Sequence, residues 1–145
     1  MHVRLAETHD IDTIADVFVT SFRGLTFLPT LHTDDETRAW IGEVMVPGHE
    51  VWVAEVDGRV VGLAAIDGDL LGHLYVHPAA QGRGIGTALL EVVKRERPDG
   101  FRFWVFQQNT GARRFYERHG CRVVELTDGS GNEEREPDAL YAWRP

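Results

Sequence analysis

The segment "HPAAQGRGIGTALLEVVKRE", residues 77–96, places glycines at positions 82, 84 and 86, directly before a helical pattern. Three glycines leave the backbone N–H groups uncovered just where a helix begins. Uncovered N–H groups at the positive end of a helix dipole bind phosphate well. The segment follows an apolar strand, "LLGHLYV" (70–76), so a flexible strand-to-helix connection is the alternative interpretation.

Two common phosphate-binding motifs do not fit this segment. A Walker A loop needs Lys and then Ser or Thr after its last glycine, whereas Gly86 is followed by Thr87 and Ala88. The dinucleotide fingerprint needs glycine at position 87, and the acidic residue expected about 20 residues later is missing from "RPDGFRFW" (97–104). The segment therefore predicts an anion site of another kind.

Composition predicts one globular domain over residues 1–145, with 43% hydrophobic and 26% charged residues. No apolar run reaches the roughly 18–20 residues needed to cross a membrane. The start, "MHVRLAETHD", lacks the apolar region of a signal peptide, and the single cysteine, Cys121, excludes an internal disulfide framework. We therefore expect a cytoplasmic protein without a membrane partner.

The net charge of −8 disfavours nucleic acid as a partner, because an acidic chain repels phosphate backbones. Arg113, Arg114 and Arg118 form at most a small basic group. An acidic surface favours binding of a cationic partner such as an amine. The alternative is that the negative charge only keeps the protein soluble. A monomer and a homodimer are both compatible with the sequence, since an exposed terminal strand could pair two subunits.

Hydrophobic periodicity predicts an α+β fold with a single mixed, mostly antiparallel sheet of about seven strands and four helices. One helix is capped by Thr8 and ends at Gly24, and the next begins at a Thr33–Glu36 capping box. Strand 70–76, a helix over 87–96 and strand 101–106 form a βαβ unit, so these two strands should be parallel neighbours. The remaining elements are strands 2–6, 51–56, 59–66, 121–126 and 139–143 and a helix over 110–120.

Two motifs resemble those of the Gcn5-related N-acetyltransferase (GNAT) superfamily. The segment "QGRGIG" (81–86) matches every fixed position of its acetyl-CoA signature, Gln/Arg-x-x-Gly-x-Gly/Ala. The segment "NTGARRFYERHGCRVV" (109–124) resembles the second motif of the family. Element order agrees as well, so the resemblance covers residues 2–143. It implies the GNAT fold, with a splayed central pair of parallel strands, and acetyl-CoA as co-substrate.

The resemblance also implies the donor site. The pantetheine arm of CoA would lie between the splayed strands, against backbone groups of Leu74, Tyr75 and Val76, with the Val76 N–H polarising the thioester carbonyl. Asn109 and Ala112 would adjoin the pantetheine, and Tyr116 would protonate the departing thiolate, or else be a core aromatic. The residues implied for the pyrophosphate are Gln81, Gly82, Arg83, Gly84, Ile85, Gly86, Thr87 and Ala88.

The sequence identifies the general base and the acceptor site less clearly than the donor site. Glu55 and His73 are both candidate bases, and strict alternation would put His73 on one strand face with Leu71 and Tyr75. By resemblance the acceptor would contact residues 22–33 and Trp52, to which the 129–138 loop could be added. Phe27, His32 and Trp52 are the candidate contacts, although the apolar loop could equally seal the core. Glu133, Glu134 and Glu136 could attract a cation or simply be solvated.

We expect no metal site, because the seven histidines are scattered, and we expect Cys121 to be buried rather than nucleophilic. The predicted function is an N-acetyltransferase that passes the acetyl group of acetyl-CoA to a primary amine of a small molecule or peptide by direct attack in a ternary complex. A non-catalytic acetyl-CoA sensor and a protein that binds another nucleotide through the same loop are the alternatives.

Overall fold

Seven strands form one mixed sheet in the computed structural model, which describes all 145 residues. Their order across the sheet is β1-β2-β3-β4-β5-β7-β6, and every neighbouring pair is antiparallel except β4 and β5. The predicted α+β fold with one parallel pair is therefore confirmed. The strands are β1 (His2–Leu5), β2 (Glu50–Val56), β3 (Arg59–Asp67), β4 (Leu70–Val76), β5 (Phe101–Phe106), β6 (Arg122–Leu126) and β7 (Asp138–Trp143).

Four helices flank the sheet. After α2 the backbone continues as a π-helical turn (Ile41–Met45) and a last helical turn (Val46–Gly48). No helix combines the length and the apolar composition that crossing a membrane requires. The helices are α1 (Ile11–Arg23), α2 (Asp34–Trp40), α3 (Ile85–Glu96) and α4 (Thr110–Arg118).

Local capping agrees with the sequence at one helix and differs at another. The predicted capping box is present at α2, where the Glu36 N–H donates to Thr33 Oγ1 at 3.1 Å and the Thr33 N–H donates to Glu36 Oε1 at 2.8 Å. The predicted Thr8 cap is wrong. Thr8 lies inside a short 3-10 turn whose cap is Glu7, because the Glu7 N–H finds its acceptor on Asp10 Oδ2 at 2.8 Å.

The two faces of the sheet bury separate cores. On one face α3 and α4 pack over a cluster that includes Leu89, Phe103 and Tyr141. On the other face α1 and the π-helical turn cover β2 and β3, with Phe18 and Met45 in the cluster. Helices thus occupy both sides of the sheet, and the site described below lies where α1 meets β4.

A β-bulge in β4 decides which side chains face α1. Ala65 pairs with His73 and Ile66 pairs with Leu71, so Gly72 is an extra residue in β4. Leu71 consequently packs into the core under α3, whereas His73 and Tyr75 face α1, where both contact Phe18. The prediction that His73 and Leu71 share a face is wrong, because the bulge shifts the alternation by one residue.

The parallel strands β4 and β5 separate almost at once. Their only ladder pair is Leu70 with Arg102, whereas β5 pairs with β7 over its whole length, Phe101–Phe106. Beyond this pair the two strands diverge toward their carboxyl ends. A gap therefore opens beside the last residues of β4 and the glycine segment that follows them.

Candidate active site

The glycine segment turns the chain from β4 into α3. Gly82 and Gly84 have φ angles of +79° and +80°, a left-handed conformation that glycine adopts without strain. Helix α3 begins at Ile85, and its first regular hydrogen bond runs from the Ala88 N–H to the Gly84 carbonyl at 3.0 Å. The implied pyrophosphate donor at Ala88 is therefore already used by the helix. The N–H groups of residues 84–87 have no acceptor in a preceding turn and remain available.

Gly86 differs from the other two glycines. Its backbone is helical, and a Cβ built on it would meet the Phe115 ring at 3.4 Å and the Val76 side chain at 3.8 Å, which are ordinary contact distances. Gly82 and Gly84 thus serve the backbone turn, whereas a methyl group would fit at position 86.

The backbone of Val76 faces the gap between β4 and β5. The His77 N–H donates to the Val61 carbonyl at 2.8 Å, and bonding alternates along an antiparallel pair, so the Val76 N–H and carbonyl point away from β3. The Val76 carbonyl accepts from Ser21 Oγ and from Gln81 Nε2, each at 3.2 Å. Helix α1 and the glycine segment are both tied to this peptide.

Tyr116 lies in the core beneath the gap. Its ring is buried and packs on Phe103 with 4.2 Å between centroids. Burial raises the pKa of the Tyr116 hydroxyl above its ordinary value, and Tyr75 and Cys121 raise it further. The hydroxyl is thus a neutral proton donor throughout the physiological range. At the start of the same helix Asn109 Oδ1 accepts from the Ala112 N–H at 3.2 Å.

A cavity of about 670 Å³ lies between α1, the 24–33 loop, α2, β4 and the 127–137 loop. We call it the aromatic cavity. Its apolar lining consists of Phe18, Val19, Phe22, Leu25, Leu28, Pro29, Leu31 and Trp40. Its polar lining consists of Arg23, Thr26, Thr30, His32, Asp34, Glu36, Thr37, His73, Glu133 and Glu134.

His73 is the polar group at the β4 wall of the aromatic cavity. Its ring centroid lies 5.0 Å from that of Phe18 and 5.6 Å from that of Trp40. Its Nδ1 is buried and has no hydrogen-bond partner. Burial lowers the pKa of His73 to about 4, and the positive charge of His49 adds to the effect. The imidazole is therefore neutral at pH 7.

Two loops that are far apart in sequence meet at the rim of the aromatic cavity. His32 Nε2 lies 2.6 Å from Glu133 Oε1, and both side chains are more than half exposed. The neighbouring Glu134 is half-buried, and no hydrogen bond or salt bridge engages its carboxylate. Burial raises the pKa of Tyr75, and the charge of Glu134 raises it further. A free carboxylate thus faces the aromatic cavity close to β4.

Three of the residues predicted from sequence lie away from the aromatic cavity. Glu55 is paired with Arg4 at 3.0 Å. Trp52 packs against the core under α3, with Arg95 5.5 Å above its ring. Phe27 lies against Phe106 at the end of β5, with 6.0 Å between ring centroids. Of the predicted acceptor contacts, only His32 lines the aromatic cavity.

The sequence did not single out Phe18, Phe22 and Trp40 as site residues. They recur at helical spacing in α1 and α2, which is the pattern of core residues. Phe18 is indeed buried, but Trp40 is 37% exposed, and all three border the aromatic cavity. One sequence feature could have indicated the cavity: large aromatic residues lie near the ends of two helices that an apolar loop connects.

One group of side chains could hold a metal ion. Glu7, His9 and Asp10 bring their ligand atoms within 4.8 Å of one another at the start of α1. Asp10 is already engaged there, with its two carboxylate oxygens 2.7 and 2.9 Å from the Arg4 guanidinium. The group also lies outside the lining of the aromatic cavity. It is therefore unrelated to the site at β4.

Residues 47–122 match the family model described as the acetyltransferase (GNAT) domain. An N-acetyltransferase of Archaeoglobus fulgidus is 32% identical over 92% of this chain and 100% of its own length. The peptidyl-lysine N-acetyltransferase YiaC of Escherichia coli is 37% identical over 63% of this chain and 62% of its own length. The structure of YncA from Salmonella typhimurium with its cofactor acetyl-CoA superposes with a TM-score of 0.75, covering 99% of this chain and 93% of YncA at 24% identity. The chain therefore belongs to the GNAT family of acyl-CoA-dependent N-acetyltransferases.

Proposed function

We propose that the protein transfers the acetyl group of acetyl-CoA to a primary amine bound in the aromatic cavity, by direct attack within a ternary complex. The observation that carries this proposal is the orientation of Val76. Its N–H and carbonyl point into the gap between β4 and β5, and Ser21 links its carbonyl to the helix that lines the aromatic cavity. A donor in the gap and an acceptor in the aromatic cavity would thus meet at one peptide.

The donor would bind through backbone groups. The free N–H groups of residues 84–87, at the positive end of the α3 dipole, hold the pyrophosphate, with Gln81 and Arg83 beside them. The pantetheine arm occupies the gap, where it replaces the strand pairing that β4 loses beyond Leu70. The structural likeness to YncA, which was solved with acetyl-CoA, supports this cofactor.

The reaction needs no covalent enzyme intermediate. The amine nitrogen attacks the thioester carbon, so a C–N bond forms while negative charge develops on the carbonyl oxygen. The Val76 N–H stabilises that oxygen, and one such donor contributes about 3–4 kcal/mol in enzymes where its removal was measured. The C–S bond then breaks, and the Tyr116 hydroxyl gives its proton to the departing thiolate.

The amine must also lose a proton before or during the attack. Glu55 is held by Arg4 and does not border the aromatic cavity, whereas His73 and Glu134 do. His73 is neutral at pH 7 and so lacks the negative charge that would attract an ammonium group, whereas the side chain of Glu134 has no cationic partner. We therefore assign proton removal to Glu134, acting through water, and assign to His73 a hydrogen bond with the amine.

Thermal shift and thiol release test the proposal together. We expect CoA and acetyl-CoA to raise the melting temperature, because a ligand at 100 times its Kd stabilises the native state by about 2.7 kcal/mol. ATP and NAD should have no effect. A panel of primary amines should then release free CoA from acetyl-CoA. Stabilisation by ATP or NAD alone would contradict the proposal, and binding of CoA without release by any amine would favour a sensor.

A further inference from the structure

We propose that the acceptor is a small primary amine that carries one positive charge and an apolar body of about the size of a benzene ring with a short alkyl arm. The inference rests on the proposed function, because it names the class of amine that the aromatic cavity takes as acetyl acceptor. Polyamines and the lysine side chains of proteins are the competing classes.

The walls of the aromatic cavity favour an apolar body. Phe18 and Phe22 are stacked with 6.4 Å between ring centroids, and Trp40 lies 6.2 Å from Phe18. The volume of about 670 Å³ falls within the range of roughly 300–1,000 Å³ that is typical of small-molecule sites. Aromatic faces also attract a cation, so the same walls suit an ammonium group attached to an apolar body.

The charges of the lining favour a single cation. Of its four carboxylates, Asp34 is paired with Arg23, Glu133 lies against His32, and Glu36 is exposed and accepts from the Thr33 N–H. Glu134 is half-buried, and no hydrogen bond or salt bridge engages it. One ammonium group can therefore pair with Glu134. A second ammonium group further along the chain of a polyamine would lie against residues such as Leu25 and Leu28. There it would lose its water without gaining a partner, which is costly.

The rim favours a small molecule over a protein. The contact between His32 and Glu133 joins the 24–33 loop to the 127–137 loop on the solvent side of the aromatic cavity. A protein substrate would bring the residues that flank its lysine against this exposed contact. A small amine has no such flanking residues, so it can bind without disturbing the contact.

His73 supplies the polar contact that such an amine needs. Its Nδ1 is buried, so the ring offers its other nitrogen, Nε2, to the cavity, and no hydrogen bond engages that atom. The amine of a bound acceptor can bond with Nε2. Glu134 and His73 then hold the nitrogen from two sides, while Trp40 and Phe18 cover the apolar body.

The test compares three amines in the thiol-release assay: 2-phenylethylamine, spermidine and a short lysine peptide with a blocked amino terminus. Binding of each amine to the CoA-saturated protein is measured in parallel by calorimetry. We expect kcat/KM for 2-phenylethylamine to exceed the other two values by about tenfold or more, which is the discrimination that a hydrophobic pocket can provide. An equal or higher value for spermidine or the peptide would overturn the inference and leave the proposed function standing.

Matched variants locate the effect. Trp40 and Trp104 are exposed to a similar extent, 37% and 48%, but only Trp40 lines the aromatic cavity. Trp40→Ala should lower kcat/KM for 2-phenylethylamine by about tenfold, and Trp104→Ala should leave it unchanged. Glu134→Gln, with Glu125→Gln on β6 as its control, repeats the comparison with an isosteric change. Equal effects within either pair would overturn the inference.

The proposed function and the inference fail differently. If CoA binds and no amine is acetylated, the proposed function fails. The class of amine that the aromatic cavity binds is then tested only by the calorimetric binding measurements. Binding of 2-phenylethylamine that weakens in Glu134→Gln would then support the ligand class, and no binding would overturn it.

Discussion

The hydroxyl of Ser21 donates a hydrogen bond to the backbone carbonyl of Val76, with 3.2 Å between Oγ and O. This contact joins the last turns of α1 to the end of β4, 55 residues later in the chain. Neighbouring residues of α1 line the aromatic cavity, and the Val76 N–H and carbonyl face the gap between β4 and β5. One hydrogen bond thus couples the wall of the proposed acceptor site to the peptide proposed to bind the thioester.

We expect Ser21→Ala to lower kcat/KM for acetyl transfer by about three- to tenfold, because the Val76 carbonyl loses one hydrogen bond of about 1 kcal/mol and keeps only the one from Gln81. The melting temperature should change little. Steady-state kinetics with a saturating amine measures the effect. Thr20→Ala is the control, since Thr20 is the exposed neighbour of Ser21 on α1. Equal rates in Ser21→Ala and Thr20→Ala would show that the hydrogen bond from Ser21 does not position the Val76 peptide for catalysis.

Much of the fold could be predicted because local patterns agree with the tertiary structure. The Asp57-Gly58 pair forms the expected hairpin turn, with φ angles of +52° and +76°. The capping box at Thr33 likewise starts α2 as expected. In both cases neighbouring residues contain all the information that the backbone needs.

The rest depends on contacts that no local pattern records. A glycine inside a strand can mark a bulge, but only the pairing of β3 with β4 shows that Gly72 is the extra residue and that His73 faces α1. The aromatic cavity exists because the 24–33 loop leaves a space between α1 and α2. Helical spacing assigned Phe18 and Trp40 to the core and could not reveal that space. The partner of Glu55 likewise comes from β1, 51 residues away.

The role of Tyr116 can be separated from its packing. Tyr116→Phe keeps the ring on Phe103 and removes only the hydroxyl. We expect kcat to fall by about a hundredfold or more, because a positioned general acid typically contributes roughly 10²–10⁴-fold. The KM for acetyl-CoA and the free energy of unfolding should stay close to the parent values. An unchanged kcat, with chemistry shown to limit turnover, would contradict the acid assignment.

Substitution by alanine should affect CoA binding more strongly at Gly84 than at Gly86. Gly84→Ala puts a side chain at a φ of +80°, which costs about 1–2 kcal/mol and displaces the N–H groups that precede α3. We expect the Kd for CoA to rise by about tenfold, since about 1.4 kcal/mol corresponds to that factor. Gly86→Ala keeps a helical backbone, and its Cβ meets Phe115 at 3.4 Å, an ordinary contact distance. Calorimetric titration with CoA should therefore show a smaller change for Gly86→Ala, and the reverse order would be inconsistent with the two roles.

The half-buried imidazole of His73 should make the protein less stable in mild acid. Its pKa lies near 4 in the folded chain and near 6.5 in a model peptide, because burial disfavours the charged form and His49 adds a repelling charge. Between these pH values the unfolded chain binds a proton that the folded chain does not. The free energy of unfolding therefore falls as the pH drops from 6.5 to 4, and no further contribution arises below pH 4.

At about 1.4 kcal/mol per pKa unit, this contribution amounts to about 3 kcal/mol. His73→Phe keeps a ring against Phe18 and Trp40 but removes the titration. Urea unfolding of both proteins from pH 8 to pH 4 measures the difference. We expect the two free-energy curves to run parallel above pH 7.5, and the free energy of the parent to fall relative to that of His73→Phe between pH 6.5 and 4, because only the parent protein loses this contribution. Curves that stay parallel down to pH 4 would mean that His73 titrates alike in the folded and unfolded chains, and that solvent or another group reaches its Nδ1.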